Sequence, residues 1–321
     1  MWVKTCPTCA NGRGRTDVRV LAVNAGSTSL KRHLIDGDES FVVDGWVDAD
    51  AVGHRVVHGG ERFRAPVEID DEVESAIGEL ASIAPLHNTP ALDAIREARR
   101  ALAGLPHVAV FDTAFHATIP DRASTYAIPA RWREWGIRRY GFHGLSVDWV
   151  AGEVRVSRLV VCHLGGGCSV TAVLDGRSID TTMGFTPLEG VPMATRSGSL
   201  DPGALLYLLR ERGLSPNELD HSLEHESGLL GLGGSSDPRD LAGTPAVDLY
   251  AYRISAAVGA MAVALGGLDS LAFTGGVGEG SSDVRERVVE RLSFLGAFDV
   301  VVVPAREELV IAREVRRVLG G

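Results

Sequence analysis

The stretch Leu159-Val160-Val161-Cys162-His163-Leu164-Gly165-Gly166-Gly167-Cys168-Ser169-Val170-Thr171-Ala172-Val173-Leu174-Asp175-Gly176 decides the fold. An apolar run from Leu159 breaks at three glycines, resumes from Ser169 to Leu174 and turns at Asp175-Gly176. That pattern predicts a strand, a glycine turn, a second strand and a tight turn. Three consecutive glycines let backbone N–H groups converge with no Cβ in the way, which is what wrapping a polyphosphate requires. Downstream, the same region supplies Arg196 and a helix start at Asp201-Pro202.

A second copy lies upstream. Val20-Leu21-Ala22-Val23-Asn24-Ala25-Gly26 runs through Leu30 and Leu34-Ile35 to Asp36-Gly37, and a shift of 139 positions puts Asn24 on His163, Gly26 on Gly165 and Asp36-Gly37 on Asp175-Gly176. Two widely spaced copies exclude a solenoid and imply two similar domains facing one another across a cleft. Duplicated domains that each offer a glycine-turn hairpin to a shared nucleotide describe the actin-like (ribonuclease H-like) ATPase architecture, an α/β fold. The expected division is a tail over residues 1–16, an N-terminal domain over 17–117 joined by a closing helix at 309–321, and a C-terminal domain over 118–308 carrying most of the ATP site.

The chain has 321 residues, is 45% hydrophobic and carries a net charge of −10, enough length for two cores and the wrong sign for a nucleic-acid or anionic-membrane partner. The longest apolar region, Ala246 to Leu265, is interrupted by Asp248, Arg253 and Ser255, so it reads as a buried helix too short in its apolar remainder to span a bilayer. No apolar leader segment follows Met1. Four cysteines in such a chain suggest a reducing cytoplasm rather than a disulfide framework. Cys6-Pro7-Thr8-Cys9 lacks a second ligand pair for zinc, because Cys162 and Cys168 sit inside the glycine hairpin.

Other elements follow in chain order. Ser40 to Val47 is a candidate strand, and Gly53 to Val57 a short one that ends in Gly59-Gly60. Arg55 within it is either a surface arginine or an anion clamp. Ile69 to Ala84 has helical apolar spacing. Thr89 and Pro90 suit the N-cap and first position of a helix running to Leu102, preceded by His87 in a loop. His107 to Phe111 is a buried strand ending at Asp112, where residues line the crevice of an open α/β sheet, although an acid there also suits a turn cap. Trp132 to Gly136 reads as a short helix, and Arg138 to Gly144 as a loop bracketing Phe142 and His143. Ser215-Pro216-Asn217-Glu218 is a capping box, with Gly228 ending that helix. Ser270 to Thr274 is a strand that breaks at Gly275-Gly276-Val277-Gly278-Glu279, with Ser282 capping the helix beyond; a strand, glycine turn and helix start make an anion site. Phe298 to Val303 is the last strand, and Glu307-Glu308 precede the closing helix.

In order along the chain, VNAGSTSLK, GHRVVHGGERF, PLHN, VFDTAFH, RRYGFHG, CHLGGGCS, DTTMGFTPLEG, TRSGSLDP, ESGLLG, SSDPRDL, FTGGVGE and REELVIARE resemble the acetate kinase family. They span nearly everything from Val20 onward. The resemblance implies phosphoryl transfer between ATP or ADP and a carboxyl acceptor, acetate giving acetyl phosphate, with Mg²⁺ or alternatively Mn²⁺, in a cytoplasmic homodimer. It also implies residue roles. Asn24 and Glu307 resemble metal-associated positions, and Lys31 a nucleotide-phosphate contact. His163, Leu164, Gly165, Gly166, Gly167, Asp237, Pro238, Arg239, Gly276, Val277, Gly278, Glu279 and Gly280 resemble the ATP segments. Arg55 resembles the substrate-carboxylate residue, Asp112 the acid/base or positioning carboxylate, and His143 and Arg196 the transition-state stabilisers. Val57, Leu86, Phe142 and Pro187 resemble the acyl-methyl pocket.

Two departures bear on what the resemblance implies. Gly166 stands where typical members carry asparagine, which removes one side-chain phosphate contact, and the segments 37–53 and 279–303 are short. The alternatives are another short-chain acyl kinase, with propionate first, or a non-catalytic actin-like nucleotide-binding module. Retention of Arg55, Asp112, His143, Arg196 and Glu307 speaks against the module, which needs only the hairpins.

Overall fold

A computed structural model describes residues 18–25, 30–80 and 85–320, with side chains at all of these except 85–87. Cys6, Cys9 and Gly26 lie outside the described residues.

The chain begins with β1 (Val20–Ala25), β2 (Leu30–Asp36), β3 (Glu39–Val42), β4 (Ala51–Val56) and β5 (Val67–Glu68), then α1 (Asp71–Leu80), α2 (Pro85–Ala101) and β6 (His107–Phe111). Short helices α3 (Asp121–Ser124) and α4 (Ala130–Glu134) lead to α5 (Gly144–Glu153). Next come β7 (Arg158–Leu164), β8 (Cys168–Leu174), β9 (Arg177–Thr181), α6 (Pro202–Glu211), α7 (Pro216–His225), α8 (Gly228–Gly233) and α9 (Pro245–Leu265). The chain closes with β10 (Ser270–Thr274), α10 (Gly275–Gly280), α11 (Ser282–Glu290), β11 (Asp299–Val302) and α12 (Glu307–Val318).

The strands form two sheets, ordered β3-β2-β1-β4-β6-β5 and β11-β10-β7-β8-β9. Written from the hairpin outward, β3-β2-β1-β4-β6 and β9-β8-β7-β10-β11 are the same path. In each, the hairpin strands pair antiparallel and the two later strands join parallel. The register places Asn24 opposite Lys31 and His163 opposite Ser169, so the duplication read from the sequence is a duplication of topology.

Central strands explain the unbroken apolar runs, because each sheet is covered on both faces. The first has α2 on one side, through Ala91, Ala94 and Ala98 against Leu21, Val23 and Val52. On the other side Val310, Ile311 and Val315 of α12 meet Val20, Ala51, Val108 and Val110. Contact there is so close that a Cβ on Gly53 would overlap an Ile311 methyl and lie 2.7 Å from Val315. The second sheet is covered by α9 and α11 on one face and by Val147 and Val150 of α5 on the other.

Several expectations need correction. The candidate strand from Ser40 shortens to β3, which ends at Val42. Thr89 and Pro90 do not start α2; the helix begins at Pro85 and Pro90 lies inside it. The tertiary reason is Asn88, whose buried amide exchanges hydrogen bonds with the N–H and C=O of His58 and holds the first turn against the end of β4. Gly228 starts α8 in a left-handed conformation rather than ending α7, because a Cβ there would overlap the Met193 carbonyl oxygen. Gly275 to Gly280 is a helical turn, and Ser281 rather than Ser282 caps α11. Glu307 and Glu308 form the first turn of α12. The apolar helix α9 is, by length and composition, long enough to cross a membrane, contrary to the sequence reading. Half of it is buried, however, and it packs on β8 and α11. The capping box at Ser215 and Glu218 forms as expected.

Candidate active site

The strand ends of the first sheet deliver the first cluster. Arg55, next to last in β4, gives Nε to both Asp112 oxygens at 3.0 and 3.2 Å and Nη2 to Oδ2 at 2.6 Å. Its Nη1 donates to Asn24 Oδ1 at 3.1 Å and lies 3.3 Å from Glu307 Oε2. The Asn24 amide nitrogen donates to the same Glu307 oxygen at 3.0 Å. Burial works against the Arg55 charge, yet Asp112 and Glu307 raise its pKa above the ordinary value. Burial lifts Asp112 while Arg55 pulls it back. Burial pushes Glu307 up, but Arg55 and the Asn24 hydrogen bond hold the carboxyl below its usual range.

The second cluster rises from α5 and the β7–β8 hairpin. His143 has φ +59°, a left-handed conformation that is costly for a residue with a Cβ. Two contacts hold it there: its backbone N–H bonds the Asp112 carboxylate, and Gly144 sits so close to the Asp112 carbonyl that a Cβ would overlap it. Its ring stacks on His163 with centroids 4.1 Å apart. Burial, reinforced by His163, Arg55 and Arg196, keeps His143 well below the usual histidine pKa, and burial also lowers His163. A Cβ on Gly167 would lie 3.1 Å from His143 Nε2 and 3.4 Å from Arg196 Nη1, so this glycine is the point where histidine, arginine and hairpin meet. Arg196 is steadied by Glu224, with Nε 2.6 Å from Oε2. No local pattern in the sequence pointed to Glu224.

Three of the expected nucleotide segments line one cavity of about 310 Å³: Gly165 and Gly166, Asp237 to Arg239, and Gly276, Val277 and Gly280, joined by Ala194, Ser236 and Ser281. Arg239 closes a turn on Asp237 through its backbone N–H, Nε and Nη2. Leu164 is buried in the core. Glu279 accepts the N–H groups of Gly275 and Ala305, each at 3.0 Å, and so ties the glycine turn to the approach of α12 instead of lining the cavity. Lys31 is exposed beside Asn24 on the first hairpin, close enough to help lower the Glu307 pKa. Val57 and Phe142 are buried in one cluster with Met183, Val191 and Met193, and Pro187 is buried too. The Leu86 side chain lies outside the described residues.

A hard divalent cation takes oxygen ligands and keeps substrate phosphates in its shell. Glu307, half-buried and held ionised, is an oxygen donor of that kind. The Asn24 oxygen is turned to Arg55 and its nitrogen to Glu307, so Asn24 serves to aim the carboxylate. No cluster of three or more His, Cys, Asp or Glu suited to a metal occurs among the described residues.

Residues 42–306 match the family described as the Acetokinase family. The chain is 44% identical over 314 residues to the acetate kinase of Protochlamydia amoebophila, covering 92% of this chain and 79% of that one. It is 48% identical over 281 residues to the acetate kinase of Nostoc punctiforme, covering 82% and 69%. Among solved structures it is similar to a propionate kinase from Francisella tularensis, with TM-score 0.86, 32% identity and coverage of 92% and 98%. It is also similar to the Porphyromonas gingivalis acetate kinase, with TM-score 0.84, 33% identity and coverage of 94% and 99%.

Proposed function

The chain belongs to the acetokinase family, and from that premise we propose that it is an acetate kinase, moving the γ-phosphoryl group of ATP to acetate and, in reverse, that of acetyl phosphate to ADP. The observation that carries this reading is the convergence of Arg55, Asp112, His143 and Arg196 beside a glycine-lined cavity that opens at the β7–β8 hairpin.

Acetate is ionised at neutral pH, so its oxygen needs alignment more than deprotonation, and the barrier lies in bringing two anions together. Positive charge between them lowers it. Arg55, oriented by Asp112, is the proposed holder of the carboxylate. Arg196 and the uncharged His143 are the proposed donors to oxygens of the phosphoryl group in flight. The backbone N–H groups of Gly166, Gly167 and Gly276 are the proposed donors to the remaining phosphates, those of Gly165 and Gly275 being taken up within the turns. Val57, Phe142 and Pro187 are the proposed walls for the acyl methyl. Mg²⁺ is the proposed metal, anchored by Glu307 and supplying charge neutralisation on the nucleotide phosphates when bound.

Propionate is the second substrate, favoured by the similarity to a propionate kinase, because one methylene is worth only about 1–3 kcal/mol in an apolar pocket. We also propose a cytoplasmic homodimer. Helix α6 has no buried residue despite four leucines and a tyrosine, and Leu206 and Tyr207 are exposed on it. Leu200, Leu232 and Leu249 line an open cleft of about 480 Å³ on the same lobe. The proposed boundary between the lobes falls at 117/118, with α12 returning to the first.

The test is acyl phosphate trapped as hydroxamate, with acetate, propionate and butyrate against ATP, GTP and pyrophosphate. Product with acetate and ATP is expected; no product with any pair would sink the catalytic reading in favour of a nucleotide-binding module.

A further inference from the structure

The stacked imidazoles each have Nδ1 against a serine hydroxyl: Ser169 Oγ lies 3.1 Å from His143, and Ser146 Oγ lies 2.8 Å from His163. Both serines are fully buried. A hydroxyl can donate or accept, so distance alone leaves the tautomer open. Accounting for protons closes it. Among the described residues neither hydroxyl has another hydrogen-bond partner, so a serine that accepted Nδ1–H would bury its own proton unpaired, which is costly. Donation from Oγ to Nδ1 pairs that buried proton and puts the ring proton on Nε2, which for neither histidine is among the buried atoms that lack a partner.

We infer that Ser146 and Ser169 are positioning residues that fix both imidazoles as the Nε2–H tautomer, so that the stack aims two N–H donors at the glycine turns. The directions fit. A Cβ built on Gly167 would lie 3.1 Å from His143 Nε2, and one on Gly275 would lie 3.2 Å from His163 Nε2. Burial and the nearby guanidinium groups keep both rings uncharged, so the tautomer, not the charge, decides whether Nε2 offers a proton or a lone pair. With the opposite tautomer, a lone pair would face the phosphate oxygens and repel them. The two serines come from different elements, Ser146 from α5 and Ser169 from β8, so each ring has an independent lock. The inference rests on the proposed site for its consequence in catalysis, but not for the tautomer itself.

The test is a long-range ¹H–¹⁵N spectrum of the full chain with labelled histidine, free of nucleotide. His143 and His163 are expected to show protonated Nε2 and unprotonated Nδ1. Ser169→Ala is expected to shift the His143 resonances toward a tautomer mixture and lower kcat about tenfold, the scale of one neutral hydrogen bond, with KM for ATP and acetate within about twofold. Ser146→Ala should move only the His163 resonances. Protonated Nδ1 in the wild type, or His143 resonances unchanged in a folded Ser169→Ala, overturns the inference. If Ser169→Ala does not fold, the wild-type spectrum and Ser146→Ala decide it. A spectrum as expected from a protein that makes no acyl phosphate would sink the proposed function and leave the tautomer standing; an active protein with protonated Nδ1 would do the reverse.

Discussion

Replacing Arg55 with methionine removes a guanidinium while keeping much of its apolar stem. Asp112, with 1% of its surface exposed, then loses three nitrogen–oxygen contacts between 2.6 and 3.2 Å, and Glu307 loses its neighbour at 3.3 Å. Breaking a buried pair by removing one partner costs about 3–5 kcal/mol, chiefly because the other charge is stranded. Arg55→Met is therefore expected to lose about that much stability in urea unfolding at pH 7.5, together with its acyl phosphate synthesis. Adding Asp112→Asn, which keeps an oxygen for the His143 N–H, should recover about 1–3 kcal/mol without restoring activity. The pH dependence has a definite sign. With the guanidinium gone, burial and the Glu307 charge outweigh the hydrogen bond from the His143 N–H, so the folded pKa of Asp112 stands above the unfolded value, the folded state binds the proton more tightly, and the deficit shrinks as pH falls from 7.5 to 5.5. An Arg55→Met loss below about 1 kcal/mol, or losses in the two single variants that simply add, would refute the reasoning that these groups form one buried ionic unit.

Four further outcomes are expected. Arg196→Ala should lower turnover roughly 10²-fold or more, also when combined with Glu224→Gln to relieve the stranded acid; near-normal turnover in a folded variant removes Arg196 from the mechanism. A Cβ added to Gly166 would meet nothing within 4 Å, so Gly166→Asn should fold with stability within about 0.5 kcal/mol of the wild type and lower KM for ATP, as steady-state kinetics would show. Gly53→Ala should cost about 1–3 kcal/mol in urea by forcing α12 off the first sheet, and an unchanged midpoint would contradict that contact. Burial depresses His54 to about 3, below its unfolded value, so the unfolded state binds the proton first and stability is lost as pH falls below about 6.5. By pH 5 the wild type should have lost about 2 kcal/mol relative to His54→Leu, and parallel pH profiles would show that His54 is not held neutral by the fold.

Both hairpins were legible in the sequence because a glycine run between apolar strands has few other readings. The shift that pairs Asn24 with His163 anticipated the shared strand path. Arg55 and Asp112 were candidates because strand ends line a crevice, and the structure adds that they bind each other, which no local pattern encodes. Other features depended on distant partners. A proline after threonine has the pattern of a helix start, whereas in the fold Asn88 anchors an earlier turn to His58, thirty residues upstream. Glu279 looks like part of a phosphate turn, yet its Oε1 accepts from both Gly275 and Ala305. Glu224, beside Arg196, gave no signal because its partner is set by folding over intervening helices.

Helix α12 carries Glu307 in its first turn and covers the sheet that begins at Val20. During synthesis, therefore, β1, β4 and β6 emerge with one face bare and wait for the second sheet to be made before α12 covers them. The carboxylate proposed to anchor the metal leaves the ribosome in the same helix that seals the first sheet, so site and core are completed together.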